Sequence, residues 1–174
     1  MFKTILTYGL IGGLVAGVPQ SIVALAVQGH SGTKMAVGYL IMLIALSTIF
    51  FAIKRHRDRS QGGVIRFWPA FGMGLGISLI AGLVYAAAWD IACLVTHTDF
   101  AGDYAQSVIA HEQASGASAA ALAKVTAEMQ SFKESYANPL YRWPMTIAEI
   151  LPVGVLVSLI SAVLLRNNRF LPAR

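Results

Sequence analysis

Apolar residues along this chain fall into four long runs, separated by polar breaks of which only one is wide enough to hold structure of its own. The runs cover about residues 5–27, 35–53, 69–95 and 147–165. At about 1.5 Å per helical residue each comes close to or exceeds a hydrocarbon core of roughly 30 Å, so the pattern predicts four transmembrane helices. The turn from Gly29 to Lys34 is short enough to force the first two into antiparallel neighbours. The wide polar stretch has helical periodicity of its own. Asp99 is placed to cap a helix in which Phe100, Tyr104 and Val108 recur every four residues. A turn over Ser115, Gly116, Ala117 and Ser118 then starts a second helix with Leu122, Val125, Met129, Phe132 and Tyr136 on one stripe. The fold class expected is all-α: an integral membrane four-helix bundle, one membrane domain over 1–174, with an extracytoplasmic helical hairpin at about 99–137 between the third and fourth transmembrane helices.

Small residues repeat at four-residue spacing in three of the runs: Gly9, Gly13 and Gly17; Ala70, Gly74, Ser78, Gly82 and Ala86; Gly154, Ser158 and Ala162. Such ridges let helix backbones approach closely in lipid, and contact with another helix of the same chain accounts for the first of them more simply than a dimer seam does. Pro19 falls inside the first run, Pro69 suits the first turn of the third helix, and Trp143-Pro144 opens the fourth.

Composition agrees with a membrane protein: 56% of the residues are hydrophobic and 12% charged, where a soluble domain carries about 25% charged residues. The net charge of +5 does not point to nucleic acid, because the basic residues cluster beside apolar runs rather than spreading over a polar face. The strongest cluster is Lys54 to Arg59. The positive-inside rule puts it in the cytoplasm together with Lys3 and the tail, so both termini are expected there and the stretch 98–142 outside. Lys54, Arg55, Arg57 and Arg59 are candidate contacts for anionic lipid headgroups. A lone cysteine, Cys93, excludes an intramolecular disulfide and a thiolate zinc cluster.

Two acids stand inside the apolar runs, Asp90 and Glu149, and an ionisable residue there is a functional candidate by default. Asp90 lies 24 residues from Arg66, roughly 36 Å of helix, and Glu149 lies 17 residues from Arg166, roughly 25 Å. Both therefore fall near the outer boundary, at the level of Arg142, and the three form a candidate polar pocket. The face of the third helix that carries Asp90 also carries Leu79, Leu83, Gly72 and Gly76, and reads mostly as packing surface. In the hairpin His97, Asp99, Asp103, His111, Glu112, Glu128 and Glu134 show no metal-binding signature, so no metal and no cofactor is expected. No spacing of nucleophile, base or paired acids supports an enzyme.

The segments GYLIMLIALSTIFFAIKRHRD (38–58), GGVIRFWPAFGMGLGISLIAG (62–82), FKESYANPL (132–140) and LPVGVLVSLISAVLLR (151–166), in this order, resemble a bacterial family of small membrane proteins, domain of unknown function 4199. The resemblance covers essentially the whole chain. It implies four membrane helices with a helical excursion before the last, in the bacterial inner membrane, and brings no activity, cofactor or catalytic residue. It also implies acids flanking the final proline motif, where this sequence has Ala148, Glu149, Ile150 and Leu151. The function expected is a structural, accessory or regulatory membrane subunit, with the lipid bilayer and a second copy or another membrane protein as partners. The alternative is a small proton- or cation-coupled transporter or channel that uses Asp90 and Glu149.

Overall fold

The computed structural model describes residues 1–26 and 32–172. Every regular element among them is an α-helix: α1 (Phe2–Ala26), α2 (Gly32–Leu46), α3 (Thr48–Ser60), α4 (Phe67–Thr96), α5 (Phe100–Ala114), α6 (Ala119–Tyr136) and α7 (Pro139–Leu165). Four stretches of them are long and apolar enough to cross a membrane: Phe2–Leu25, Ala36–Ser60, Phe67–Thr96 and Pro139–Leu165. These are the four runs read from the sequence. Val27 at the end of the first run and His30 in the following turn lie outside the described residues.

Two boundaries differ from expectation. The basic cluster Lys54 to Arg59 does not leave the helix but continues it to Ser60. Lys and Arg are good helix formers, and Lys54 pairs with Asp58 one turn on at 2.6 Å. The helix stops only where Gly62 and Gly63 take left-handed conformations, at φ +61° and +85°, and the Gly63 N–H folds back onto the Arg57 carbonyl at 3.0 Å. Upstream, α2 and α3 meet at Ser47. There the Ser47 and Thr48 hydroxyls donate to the carbonyls of Ile44 and Ala45 at 2.6 and 2.7 Å, in competition with the backbone ladder. The fourth span begins at Pro139, eight residues before the expected Ile147. The Asn138 side chain accepts from the Leu140 N–H at 3.0 Å, and Pro139 occupies the first helical position, where its missing N–H costs nothing.

By their contacts the residues form two compact units, 1–89 with 146–174, and 90–145. In the first unit the small-residue ridges meet neighbouring helices of the same chain. A Cβ placed on Gly9, Gly13 or Gly17 of α1 would come within 2.5, 2.5 and 2.8 Å of Ile80, Val84 and Ala88 of α4. Between α4 and α7 the fit is reciprocal. Ser158 fills the space left by Gly74, Ser78 fills the space left by Gly154, and a Cβ on either glycine would stand 2.5 Å from the facing hydroxyl oxygen. Each serine satisfies its own hydroxyl inside its helix, Ser78 on Gly74 O at 2.9 Å and Ser158 on Gly154 O at 2.6 Å, so neither presents an unpaired polar group. Ala70, Ile77, Ala81, Ile150 and Ala162 complete this core. The face of α4 that carries Asp90 packs only in part within this unit: a Cβ on Gly76 would come within 3.1 Å of Ile5 of α1, and Ala86 is buried. Leu79 and Leu83 are half-exposed, and a Cβ on Gly72 would meet nothing within 4 Å.

In the second unit α5 and α6 pack side by side through aromatic rings. Phe100 meets Tyr136 at 5.7 Å between centroids and Tyr104 meets Phe132 at 5.5 Å, so the start of one helix lies against the end of the other. Both helices are capped at the expected residues: Asp99 accepts from the Gly102 N–H at 3.0 Å and Ser118 from the Ala121 N–H at 3.2 Å.

Candidate functional site

Asp90, near the end of α4, and Arg142, in the first turn of α7, form a two-pronged ion pair within the second unit. Arg142 Nε donates to Asp90 Oδ1 at 2.8 Å and Nη2 to Oδ2 at 2.9 Å, while the Trp143 indole N–H donates to Oδ2 at 2.8 Å. The early start of α7 makes this possible, because it places Arg142 and Trp143 on consecutive helical positions beside the acid. Arg142 also donates from Nη1 to the Tyr136 carbonyl at 2.9 Å and lies 5.6 Å from the centre of the Tyr136 ring. A cation is thus set at the carbonyl end of α6, where the helix dipole favours it. The two side chains keep only 19% and 27% of their surface exposed. A carboxylate that accepts three bonds, two of them from one guanidinium, works as a tie between α4, α6 and α7 rather than as a free base.

Glu149 belongs to the first unit and takes its hydrogen bond there, from the Tyr85 hydroxyl at 3.3 Å. It borders a cavity of about 240 Å³ lined also by Gln20, Gly38, Tyr39 and Met42. The absence of a side chain at Gly38 makes room for the Gln20 amide, since a Cβ there would come within 2.8 Å of Gln20 Nε2. Gln20 Oε1 is buried and has no hydrogen-bond partner among the described residues. Two oxygen acceptors, one ionisable, therefore line one cavity in the apolar part of the molecule. The sequence singled out Glu149 but gave no sign that Gln20 and Gly38 accompany it, because that depends on how α1, α2 and α7 are aligned.

Of the four basic residues read as headgroup contacts, Arg57 does not face outward. It is fully buried, and its guanidinium donates to the carbonyls of Leu165 at 3.4 Å, Phe170 at 3.0 Å and Leu171, and through Nε to Asp58 at 2.7 Å. It holds the carboxy-terminal tail instead. A signal for this was present in the sequence. Ile49, Ala52, Ile53, His56 and Arg57 fall at positions i, i+3, i+4, i+7 and i+8 of one helix face and are all buried, so the apolar stripe of the helix runs directly into Arg57. Arg55 and Arg59 lie off that stripe and are exposed. Lys54 is bound to Asp58.

Among the polar residues of the second unit, Asp99 is committed as a cap and approaches Lys133 at 3.6 Å, Glu134 accepts from Gln130 at 2.9 Å, and Lys124 lies 3.9 Å from Glu128. Among the described residues no group of three or more His, Cys, Asp and Glu side chains comes together as a metal site.

The chain belongs to the family described as protein of unknown function DUF4199, whose model matches residues 7–167. No curated protein and no solved structure matches it.

Proposed function

We propose that this member of the DUF4199 family is a multi-pass protein of the bacterial inner membrane that serves as a structural, accessory or regulatory subunit. Both termini are cytoplasmic, and α5 and α6 form an extracytoplasmic helical hairpin that meets a partner. The observation that carries this reading is the state of Asp90, an acid in an apolar helix whose carboxylate is taken up by Arg142 and Trp143. An acid used this way stabilises the junction of elements and leaves no free carboxylate to relay a proton. Support for an interaction role comes from α6, which buries none of its residues. We assign it no catalytic step and no cofactor. Purification in mild detergent is expected to recover a homodimer or a stoichiometric membrane-protein partner, with reporter fusions active outside at Gly116 and inside at the carboxy terminus. A monomer that carries out the full cellular role would overturn it.

A second reading, a small proton- or cation-coupled transporter or channel, is favoured by the cavity that pairs Glu149 with Gln20 Oε1, which has no hydrogen-bond partner among the described residues. Glu149→Gln then abolishes pH-dependent flux in proteoliposomes at unchanged protein content, whereas unaltered flux eliminates the reading.

A further inference from the structure

We propose that the groove at the end of the first unit where α1 begins and α7 ends binds the phosphate headgroup of an anionic phospholipid. Two cavities adjoin there, one of about 690 Å³ lined by Phe51, Lys54, Arg55, Arg59 and Leu171 among others, and one of about 290 Å³ lined by Lys3, Thr4, Thr7 and Ile11. Tyr8 and Arg55 line both. The single acid in the walls, Asp58, is already neutralised by Lys54 at 2.6 Å and Arg57 at 2.7 Å. Lys3, Arg55 and Arg59 are exposed and take part in no ion pair among the described residues, which leaves three positive charges on the walls of the two adjacent cavities. The hydroxyls of Thr4, Thr7 and Tyr8 add donors. The first turn of α1 adds the backbone N–H groups that a helix leaves without intrahelical partners.

The wall opposite α1 is prebuilt. Buried Arg57 fixes the tail through the carbonyls of Leu165, Phe170 and Leu171, and the Phe170 ring lies edge-on to Phe50 at 6.5 Å. The occupant is a lipid rather than a free phosphate because Phe51 and Ile11, which are 59% and 45% exposed, line the same cavities and offer apolar surface to glycerol and the first methylenes. A volume of about 690 Å³ holds a headgroup with part of its chains. The proposal needs the chain to lie in a membrane but does not depend on the subunit reading.

Native mass spectrometry of the full chain in a neutral detergent, titrated with phosphatidylglycerol, phosphatidylcholine or inorganic phosphate, tests it. Phosphatidylglycerol is expected to bind at least about tenfold more tightly than phosphatidylcholine. The variant Lys3→Gln/Arg55→Gln/Arg59→Gln is expected to lose that preference with an unchanged melting temperature, since all three side chains are exposed. Arg166→Gln/Lys124→Gln, which removes two exposed charges outside the cavities, keeps it. Phe51→Ala is expected to weaken phosphatidylglycerol and leave inorganic phosphate unaffected. Equal binding of the two lipids, retention of the preference in the triple variant, or inorganic phosphate bound as tightly as phosphatidylglycerol would each overturn the proposal. Failure of the chain to fractionate with membranes would instead overturn the membrane reading beneath it.

Discussion

The two compact units are held together by opposite means. In the first, helices touch through what is missing: glycines of α1 admit Ile80, Val84 and Ala88, and Gly74 and Gly154 admit each other's serines. In the second, helices touch through what is large and polar: four aromatic rings between α5 and α6, two side-chain caps, and the Asp90–Arg142 pair. Lipid chains are as apolar as leucine, so helices within a bilayer gain little from burying bulk and associate by close backbone approach. A pair of short helices with little to bury must draw on directional contacts, and α5 buries only Ala101, Gly102 and Ala105 while α6 buries none. The first unit is therefore intolerant of added volume, and the second of lost groups.

That contrast can be broken at specific positions. Gly13→Leu should cost most, about 3 kcal/mol from overpacking, because the new Cβ would stand 2.5 Å from Val84 and 2.8 Å from the Ala81 carbonyl. Thermal unfolding in detergent measures it, with Gly72→Leu as the neutral partner on α4, where nothing lies within 4 Å. An equal loss in both variants would mean that packing volume is not what holds the first unit. Arg142→Gln removes the charge opposite Asp90 and should cost about 2 kcal/mol, as expected for hydrogen bonds between charged groups. Amide exchange should rise across 90–145 and stay unchanged in the core of 1–89. Uniform deprotection would show that the two units unfold together. Ser118→Ala takes away the cap of α6 and should cost about 1 kcal/mol, with fraying limited to the first turn after Ser118. Ser78→Ala, whose hydroxyl bonds only within its own helix, is the matched change in the first unit and should be nearly silent.

Much of the fold was legible because its signals are local. Four apolar runs gave the four spans, Asp99 and Ser118 announced their helices, and the stripe from Leu122 to Tyr136 marked the face of α6 that carries Phe132 and Tyr136. Errors arose where a local rule met a competing one. The predicted second span stops at residue 53 although the basic residues that follow favour helix, and the predicted fourth span opens at Trp143-Pro144 although Asn138 caps an earlier start at Pro139. The candidate site was legible only in its members. Asp90, Arg142 and Glu149 could be picked out as charges in apolar surroundings, but not the Trp143 indole on Asp90, the Tyr85 hydroxyl on Glu149, or Gln20 beside it.

By itself, then, the sequence determined which segments are helical, where they are apolar enough to span a membrane, and which of their faces are smooth enough for close approach. These properties are set by residues within a turn or two of each other, and the chain reports them directly. The tertiary structure decided which ridge meets which, that Arg57 turns inward to the tail while Arg55 and Arg59 stay outside, and that Tyr8 of α1, Arg55 and Arg59 of α3 and Leu171 line one cavity. Those outcomes join residues as far apart as Tyr8 and Leu171, and only the packed register of the helices brings them together.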